Sequence, residues 1–437
     1  MFIRNLHLLI LIYTEHITAR LQYILQELFN RRLGIVFQLT TSAVKIEQYS
    51  GAKINYSHNF INGCLHLKPH SILFDETIEY YSVSAKHDNY WDTLIWEQNG
   101  DVPFELFAAS FFLLSRYEEY LPHKVDEHGR FDAEQSLAMQ YGFIETPLVD
   151  KWAYKLKEIL ERQFGKITAN APSYRFISTF DIDTAYLYKG LENYRQLRKT
   201  IKSATLLRFH KLAEQVKVLH QNQPDPYDTY EYIAAIAKGK QVKYFALCGG
   251  NTEYDEGIPL EKAEMQQLLK LLSTQYDIGL HPSYDAFNAI EMLKEEKDKL
   301  EQIIGKKVIT NRQHFLRFKL PNSMNNLIQL GFTEDYSMGY GSTAGFRAST
   351  CHPFYFFDLE LNKITPLLLY SVCVMDVTLK INMNLTVQTA IQKIEQLIQE
   401  VKQVNGTLVS IWHNSNLSHT DDWYAWREVF EKLHKLA

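Results

Sequence analysis

From Tyr174 onward, short apolar runs alternate with longer amphipathic stretches, and no other feature of the chain restricts its fold as tightly. Residues 175–180, 242–247, 278–280, 308–311, 331–336 and 408–412 are apolar runs of strand length. Helices are predicted between several of them, over 259–272, 287–304 and 386–401. In the last of these Val387, Ile391, Ile394, Ile398 and Val401 make one apolar stripe, and Asn405-Gly406 closes it. Strands that return through helices lie parallel, so this region is expected to be a parallel α/β sheet or a (β/α) barrel.

The first part of the chain reads differently. A strand is expected over 6–13, followed by Ile17, Leu21, Ile24, Leu25 and Leu28 at helical spacing up to Gly34, and by a second strand over 34–39. Further short strands are expected around Ile54, at 65–67 and at 72–74. Pro103 is positioned to open an apolar helix over 104–114, because a proline in the first turn forfeits no hydrogen bond. A second helix is expected over 147–160. The intervening residues 122–141 are polar and rich in His, Asp and Gly, and read as a long surface loop. Gly165, Asn170 and Pro172 interrupt the pattern, which divides the chain into an N-terminal α/β domain, 1–170, and a second domain, 171–437.

Composition removes several function classes. Forty-six Lys and Arg against 51 Asp and Glu leave a net charge of −5, which does not suit a partner bound through its phosphate backbone, so no nucleic acid is expected. Cys64, Cys248, Cys351 and Cys373 are scattered without a C-x-x-C pair, arguing against a disulfide framework or a cysteine zinc site and for a reducing compartment. The apolar stretch 6–13 is one strand long and runs at once into Glu15, His16 and Arg20 without a small-residue cleavage site. No stretch reaches the ~18 apolar residues of a membrane span. The expectation is a cytoplasmic protein with no membrane span.

In a barrel of parallel strands, chemistry collects where the strands end, because the loops there converge on one face. Residues 176–180 run into Asp181-Ile182-Asp183. Residues 278–280 run into His281-Pro282-Ser283-Tyr284-Asp285, and 308–310 into Asn311-Arg312-Gln313-His314. Residues 408–412 end in His413-Asn414. Acids and imidazoles from separate strands suit metal-assisted hydrolysis, in which a divalent ion activates water, a carboxylate takes its proton and a histidine protonates the leaving group. Asp183 and His281 suit the metal, Asp181 the base and His413 the acid, with Arg312 keeping the base charged. Each piece alone has a plainer reading: a turn or helix cap for D-x-D, a hydrogen-bonded structural group for a single strand-end His, and a packed pair for Trp412 and His413.

Residues 174–437 resemble the NodB-like polysaccharide deacetylases, metal-dependent N- and O-deacetylases on a distorted (β/α) barrel. Thr179-Phe180-Asp181-Ile182-Asp183 resembles their first motif, and Ile278-Gly279-Leu280-His281 the start of the second. Asn311-Arg312-Gln313-His314-Phe315 stands where the third carries an arginine, and 408–413 resembles the last, whose histidine acts as acid. More narrowly, 103–110, 115–119, 226–230, 281–284, 312–315, 334–340, 345–351 and 412–414 are similar to bacterial, especially Bacteroidetes-type, polysaccharide deacetylase proteins with an additional N-terminal domain of unknown function. The resemblance implies a divalent metal, with zinc the first candidate, and a carbohydrate or small amide substrate. The second motif ordinarily supplies another histidine four residues after the first, and here that residue is Asp285. Asp183, His281 and Asp285 are then the expected metal ligands, unless the third ligand is missing or His314 replaces it from a loop that folds inward.

Residues 339–352 form a Gly- and Ser-rich loop with no Walker lysine pattern, so cleft lining is expected there instead of phosphate binding. Tyr284, His314, Tyr340, Phe346, Arg347 and Trp412 are the expected substrate-binding residues. Asp376 is a further strand-end acid with a capping or structural role equally open. The expected function is removal of acetyl groups from an N- or O-acetylated sugar or glycan. Its rivals are a relative that binds glycan without turnover, and a hydrolase of a non-sugar amide.

Overall fold

The computed structural model describes residues 9–191, 201, 209–249, 252–255, 257–419 and 422–437. Strands β1 (Leu9–Thr14), β2 (Val36–Thr40), β3 (Lys53–Tyr56) and β4 (Leu65–Leu67) form a parallel sheet in the order β2-β1-β3-β4. Residues 6–8 of the expected first strand lie outside the described residues. The strand expected at 72–74 is instead a 3-10 turn, Ser71–Leu73, whose Ile72 and Leu73 are buried against the sheet. Strands β5 (Ala85–Asp88) and β6 (Asp92–Ile95) make a separate antiparallel hairpin.

The apolar helix opens later than the proline rule predicts. The Gln98 N–H donates to the Pro103 carbonyl and the Glu105 N–H to that of Trp96, so 103–105 are held extended and the helix begins at Leu106. Helix Leu106–Leu114 is buried along its whole length, and Glu105 caps it by accepting the Ala108 N–H. An acidic cap satisfies an otherwise orphaned donor.

The second sheet has nine strands: β7 (Arg175–Ile182), β8 (Gln241–Leu247), β9 (Asp277–His281), β10 (Thr310–Asn311), β11 (Glu334–Met338), β12 (Phe354–Asp358), β13 (Lys363–Ser371), β14 (Val374–Met375) and β15 (Thr407–His413). Their order is β12-β13-β11-β10-β9-β8-β7-β15-β14, parallel throughout except for β12 against β13. The sheet curls into a half-barrel. Strand β13 pairs with β11, and β14, just beyond it in the chain, pairs with β15, so one stretch reaches both flanks of the curl. All six apolar runs read from the sequence lie in this sheet, with β10 and β11 starting later than expected. Strands β12 and β13 escape the reading because they form a hairpin with no helix between them, and because Pro366 interrupts the second.

The concave face is packed by Ile177, Phe245, Tyr336, Tyr370, Val409 and Ile411. Side chains alternate faces along a strand, so Thr179 and Asp181 continue the inward row of Ile177, and His413 that of Ile411. Trp412 points the other way, its ring 5.1 Å from Phe430 of helix Arg427–Leu436. The convex face is covered by helices such as Val387–Gln403, capped by Thr386.

Buried ion pairs and the hydrogen bonds they make join the two parts of the chain. Arg32 donates to Asp150 at 2.6 Å, to Glu27 and to Thr350, and Asp150 in turn accepts the Cys351 N–H. Arg347 forks onto both oxygens of Glu119 at 2.9 and 2.7 Å, and Arg116 binds the same carboxylate. Burial alone would raise the Glu119 carboxyl, but the two guanidinium groups outweigh it and lower it to about 2. Removing one partner of such a pair costs about 3–5 kcal/mol, because the other charge is left buried. No helix among the described residues is long and apolar enough to cross a membrane.

Among the described residues Glu105 has no such cation. Burial, only partly offset by Tyr56 and the Ala108 N–H, pushes its carboxyl up to about 8 from an ordinary 4.5. Its contribution to stability is therefore complete below pH 4.5 and lost as pH rises through 8, on the order of 3–5 kcal/mol. Glu105→Gln, which keeps the cap but cannot ionise, is expected to gain stability over the parent between pH 5 and 8.5 in thermal unfolding. An unchanged difference at the two pH values would refute this.

Candidate active site

The loops at the carboxyl ends of β7, β9, β10, β14 and β15 meet over a cleft of about 330 Å³ that Asp181, Asp183, His281, His314 and His413 all border. Asp181 is not in a turn or a cap. It is buried inside β7, in register with His413 of β15 and Phe245 of β8. Arg312 Nη1 donates to its Oδ1 at 2.6 Å, while Nη2 donates to Thr179 Oγ1 and Nε to the Tyr336 carbonyl. The guanidinium lies 4.3 Å from the Phe245 ring centre. Packed and bonded on every side, Arg312 fixes the carboxylate in one orientation.

Asp183, one residue past β7, is the hub. His281 Nε2 stands 3.3 Å from its Oδ1, and His413 Nε2 and His314 Nε2 stand 3.5 and 3.8 Å from its Oδ2. The Nδ1 of each ring is already committed. His281 Nδ1 bonds the Arg312 carbonyl at 2.6 Å, His314 Nδ1 the Asp255 carboxylate at 3.0 Å, and His413 Nδ1 the Asp376 carboxylate at 2.8 Å. A carbonyl or carboxylate only accepts, so each Nδ1 carries the proton and a neutral ring turns its bare Nε2 toward Asp183. Lone pairs facing a carboxylate repel unless positive charge lies between them.

The titration of these groups reflects that geometry. Burial opposes ionisation of Asp183, but contact with His281 and the charges of His413, His314 and His281 hold its carboxyl far below the ordinary range. Burial likewise opposes a charged His281, yet Asp181 and Asp183 raise it above the usual imidazole value. For His413, burial is outweighed by the charge and hydrogen bond of Asp376, then by Asp183 and Asp181, and the ring is pushed up to about 10.

Among the described residues, Asp183, His281 and His314 form a group whose ligand atoms all lie within 4.8 Å of one another. Asp183 Oδ1 is buried with no hydrogen-bond partner among them. One carboxylate and two imidazoles with Nδ1 anchored by acceptors suit a divalent cation. Asp285, expected as the third ligand, is exposed on the 3-10 turn Tyr284–Asn288 and does not belong to that group. His314 stands in the group instead, followed by left-handed backbone at Phe315 (φ 60°) and Leu316 (φ 52°).

Other expected positions also move. Arg347, Tyr340 and Phe346 do not border the cleft that holds the acids. Arg347 is spent on Glu119, the Tyr340 hydroxyl accepts from Arg116, and buried Phe346 donates its N–H to the Ile144 carbonyl, so all three bind the two parts of the chain together. Tyr340 and Arg347 edge a separate hollow of about 210 Å³. Trp412 is buried beneath its helix and unavailable to a ligand. Tyr284 packs beside the site, stacked on Tyr254 at 4.3 Å, with its hydroxyl bonded to His128.

Three contributors escape the sequence reading. Asp255 accepts from His314, Thr252 and the Tyr284 N–H, and lies in the loop after β8, where the strand-end rule would have placed it. Gln313 is buried on the cleft wall, its Nε2 without a partner among the described residues. Residues 122–141, expected as free surface, instead bring His128 and Arg130 to the rim. A larger hollow of about 620 Å³ beside Tyr186, Lys189 and Glu264 is lined, among the described residues, by no imidazole.

Residues 10–165 match a family of unknown function (DUF7033). No curated protein matches the chain. Among solved structures, the chain is similar to a Mycobacterium smegmatis protein described as a polysaccharide deacetylase, at 13% identity and TM-score 0.38, over 61% of this chain and 86% of that one. The polysaccharide deacetylase of Bacillus cereus aligns at 12% identity and TM-score 0.29, over 60% and 88%. A GH57 branching enzyme of Thermococcus kodakaraensis aligns at 8% and 0.33, over 60% and 68%.

If that group holds a cation, a direct expectation follows. Asp183→Asn and His314→Ala should each weaken zinc binding beyond the roughly 10–100-fold cost of losing an outer partner, whereas Asp285→Asn should leave it unchanged. Competition titration against a chromophoric chelator reads all three, and a loss confined to Asp285→Asn would reverse the assignment.

Proposed function

We propose that the chain is a metal-dependent hydrolase that removes acetyl groups from an N- or O-acetylated sugar or glycan. The observation that carries this reading is the convergence of three Nδ1-anchored imidazoles on Asp183, beside a second carboxylate fixed by Arg312. The motif resemblance supports the substrate class. Asp183, His281 and His314 would hold the cation. Such a cation supplies Lewis acidity, making water easier to deprotonate and an acyl oxygen more polarised.

The protein's own groups divide the remaining work. Asp181 accepts the proton of the attacking water as the new carbon–oxygen bond forms, and Arg312 keeps its free oxygen turned to the cleft. Gln313 offers its unpartnered amide to the oxyanion that develops on the acyl group. His413, charged through neutral pH and aimed by Asp376, gives its proton to the leaving nitrogen or oxygen as the acyl bond breaks. Acetate and a free amine or hydroxyl result. Four unpaired buried cysteines fit a reducing compartment, where a small or lipid-linked glycan precursor is a better substrate than finished wall polymer.

Acetate release from N-acetylglucosamine oligomers and from O-acetylated sugars by zinc-loaded protein tests the reading. Asp181→Asn should lower turnover by about 10²–10⁴-fold with zinc retained; no acetate from either substrate, or a mutant equal to the parent, would end it. The pH profile gives a second check. Asp376, followed by Asp183 and Asp181, raises His413 to about 10, so Asp376→Asn should move the basic limb of kcat/KM down by at least about one pH unit. A limb that stays in place would remove His413 from the acid role.

A further inference from the structure

The turn that follows His314 is touched by a residue far away in the chain. His314 is followed by Phe315 and Leu316, both in left-handed backbone, which side chains other than glycine rarely adopt. Local backbone bonds close that turn, from the Leu316 N–H to the Gln313 carbonyl and from the Arg317 N–H to that of His314, and a further contact comes from the first part of the chain. Residues 125–131 close a hairpin, with Val125 and Phe131 bridged and Gly129 at its turn. Asp126 accepts the N–H groups of His128 and Arg130 and also Arg130 Nε at 2.7 Å, which orients the guanidinium before it meets anything else. Arg130 Nη1 then donates to the Phe315 carbonyl at 2.7 Å. In the opposite direction Arg317 Nε donates to the His128 carbonyl at 2.7 Å, and the His128 ring packs 4.7 Å from Phe315. Gly341 leaves the passage for the guanidinium: a Cβ there would lie 2.5 Å from Arg130 Nη1.

We infer that Arg130 is a positioning residue for the metal centre: by clamping the Phe315 carbonyl it holds the left-handed turn that aims His314 at the cation, so the first part of the chain sets metal affinity in the second. The inference rests on the metal-centre reading above. It also gives the hairpin a purpose that a merely packed loop would lack. Arg130 is not a ligand and touches no reacting atom. Its effect passes through the backbone of Phe315 to the imidazole beside it.

The test uses full-length protein loaded with zinc or with cobalt(II), whose visible absorption reports coordination geometry. Arg130→Ala is expected to raise the zinc dissociation constant about 10–100-fold and to alter the cobalt bands, with Arg130→Lys recovering part of both because an ammonium can still reach the carbonyl. Gly341→Ala, which displaces the guanidinium without deleting it, should shift the cobalt spectrum in the same sense and keeps the test open if Arg130→Ala fails to fold. His314→Ala separates the two levels of the argument. If it weakens zinc binding while Arg130→Ala and Gly341→Ala leave affinity within twofold and the cobalt spectrum superimposable on the parent, the positioning role is refuted and the metal centre stands. If His314→Ala itself leaves zinc affinity unchanged, the centre as assigned falls, and the clamp with it.

Discussion

A carboxylate confronted by three imidazole nitrogens is an arrangement that cannot persist without positive charge among them, and the architecture around Asp183 serves that constraint. Each ring is fixed from behind by an acceptor: a backbone carbonyl for His281, Asp255 for His314, Asp376 for His413. Free rings could rotate away and relieve the repulsion; anchored ones cannot. The charge must be supplied, by protons or by a cation. His413 has its own carboxylate and is suited to carry a proton. His281 and His314, with Asp183, have the donor types and mutual spacing of a cation site.

The curled sheet makes this possible by delivering the groups from different strands at the same height. Asp181 and His413 are partners in the β7–β15 register, and Arg312 reaches across from the end of β10. Their rigidity has a cost. Buried charges must be paired, which explains why so much of the interior near the cleft is occupied by guanidinium groups held by carboxylates and carbonyls. The same device appears away from the site, where Arg347 on Glu119, and Arg32 held by Asp150 and donating to Thr350, fasten the two parts of the chain. The first part thereby becomes a structural participant, close enough for its 125–131 hairpin to reach the loop that bears His314.

Much of this was legible in the residues before any geometry. The six apolar runs that lie in the second sheet, and the acids and imidazoles at their ends, follow from side-chain periodicity and from the rule that parallel strands gather chemistry at their carboxyl ends. What the sequence could not convey was direction within loops. Asp285 stands at the spacing of a helical ligand pair, but the backbone after β9 turns into a short 3-10 segment that exposes it. Arg347, Tyr340 and Phe346 have the residue types of a sugar-binding surface, yet their partners, Glu119, Arg116 and Ile144, lie more than two hundred residues earlier. Trp412 was misplaced by one step of the strand alternation. Asp255 and the 125–131 hairpin were missed because long-range hydrogen bonds, not local pattern, give them meaning.

The central claim is that Asp183, His281 and His314 hold one cation. Anomalous diffraction at the zinc absorption edge, from crystals of the full chain grown with zinc, tests it most directly. The account predicts a single peak bonded to Asp183 Oδ and to the Nε2 atoms of His281 and His314 at about 2.0–2.2 Å, with Asp285 remote from it. A fully loaded crystal with its peak elsewhere, or with His314 turned away from the ion, would contradict it.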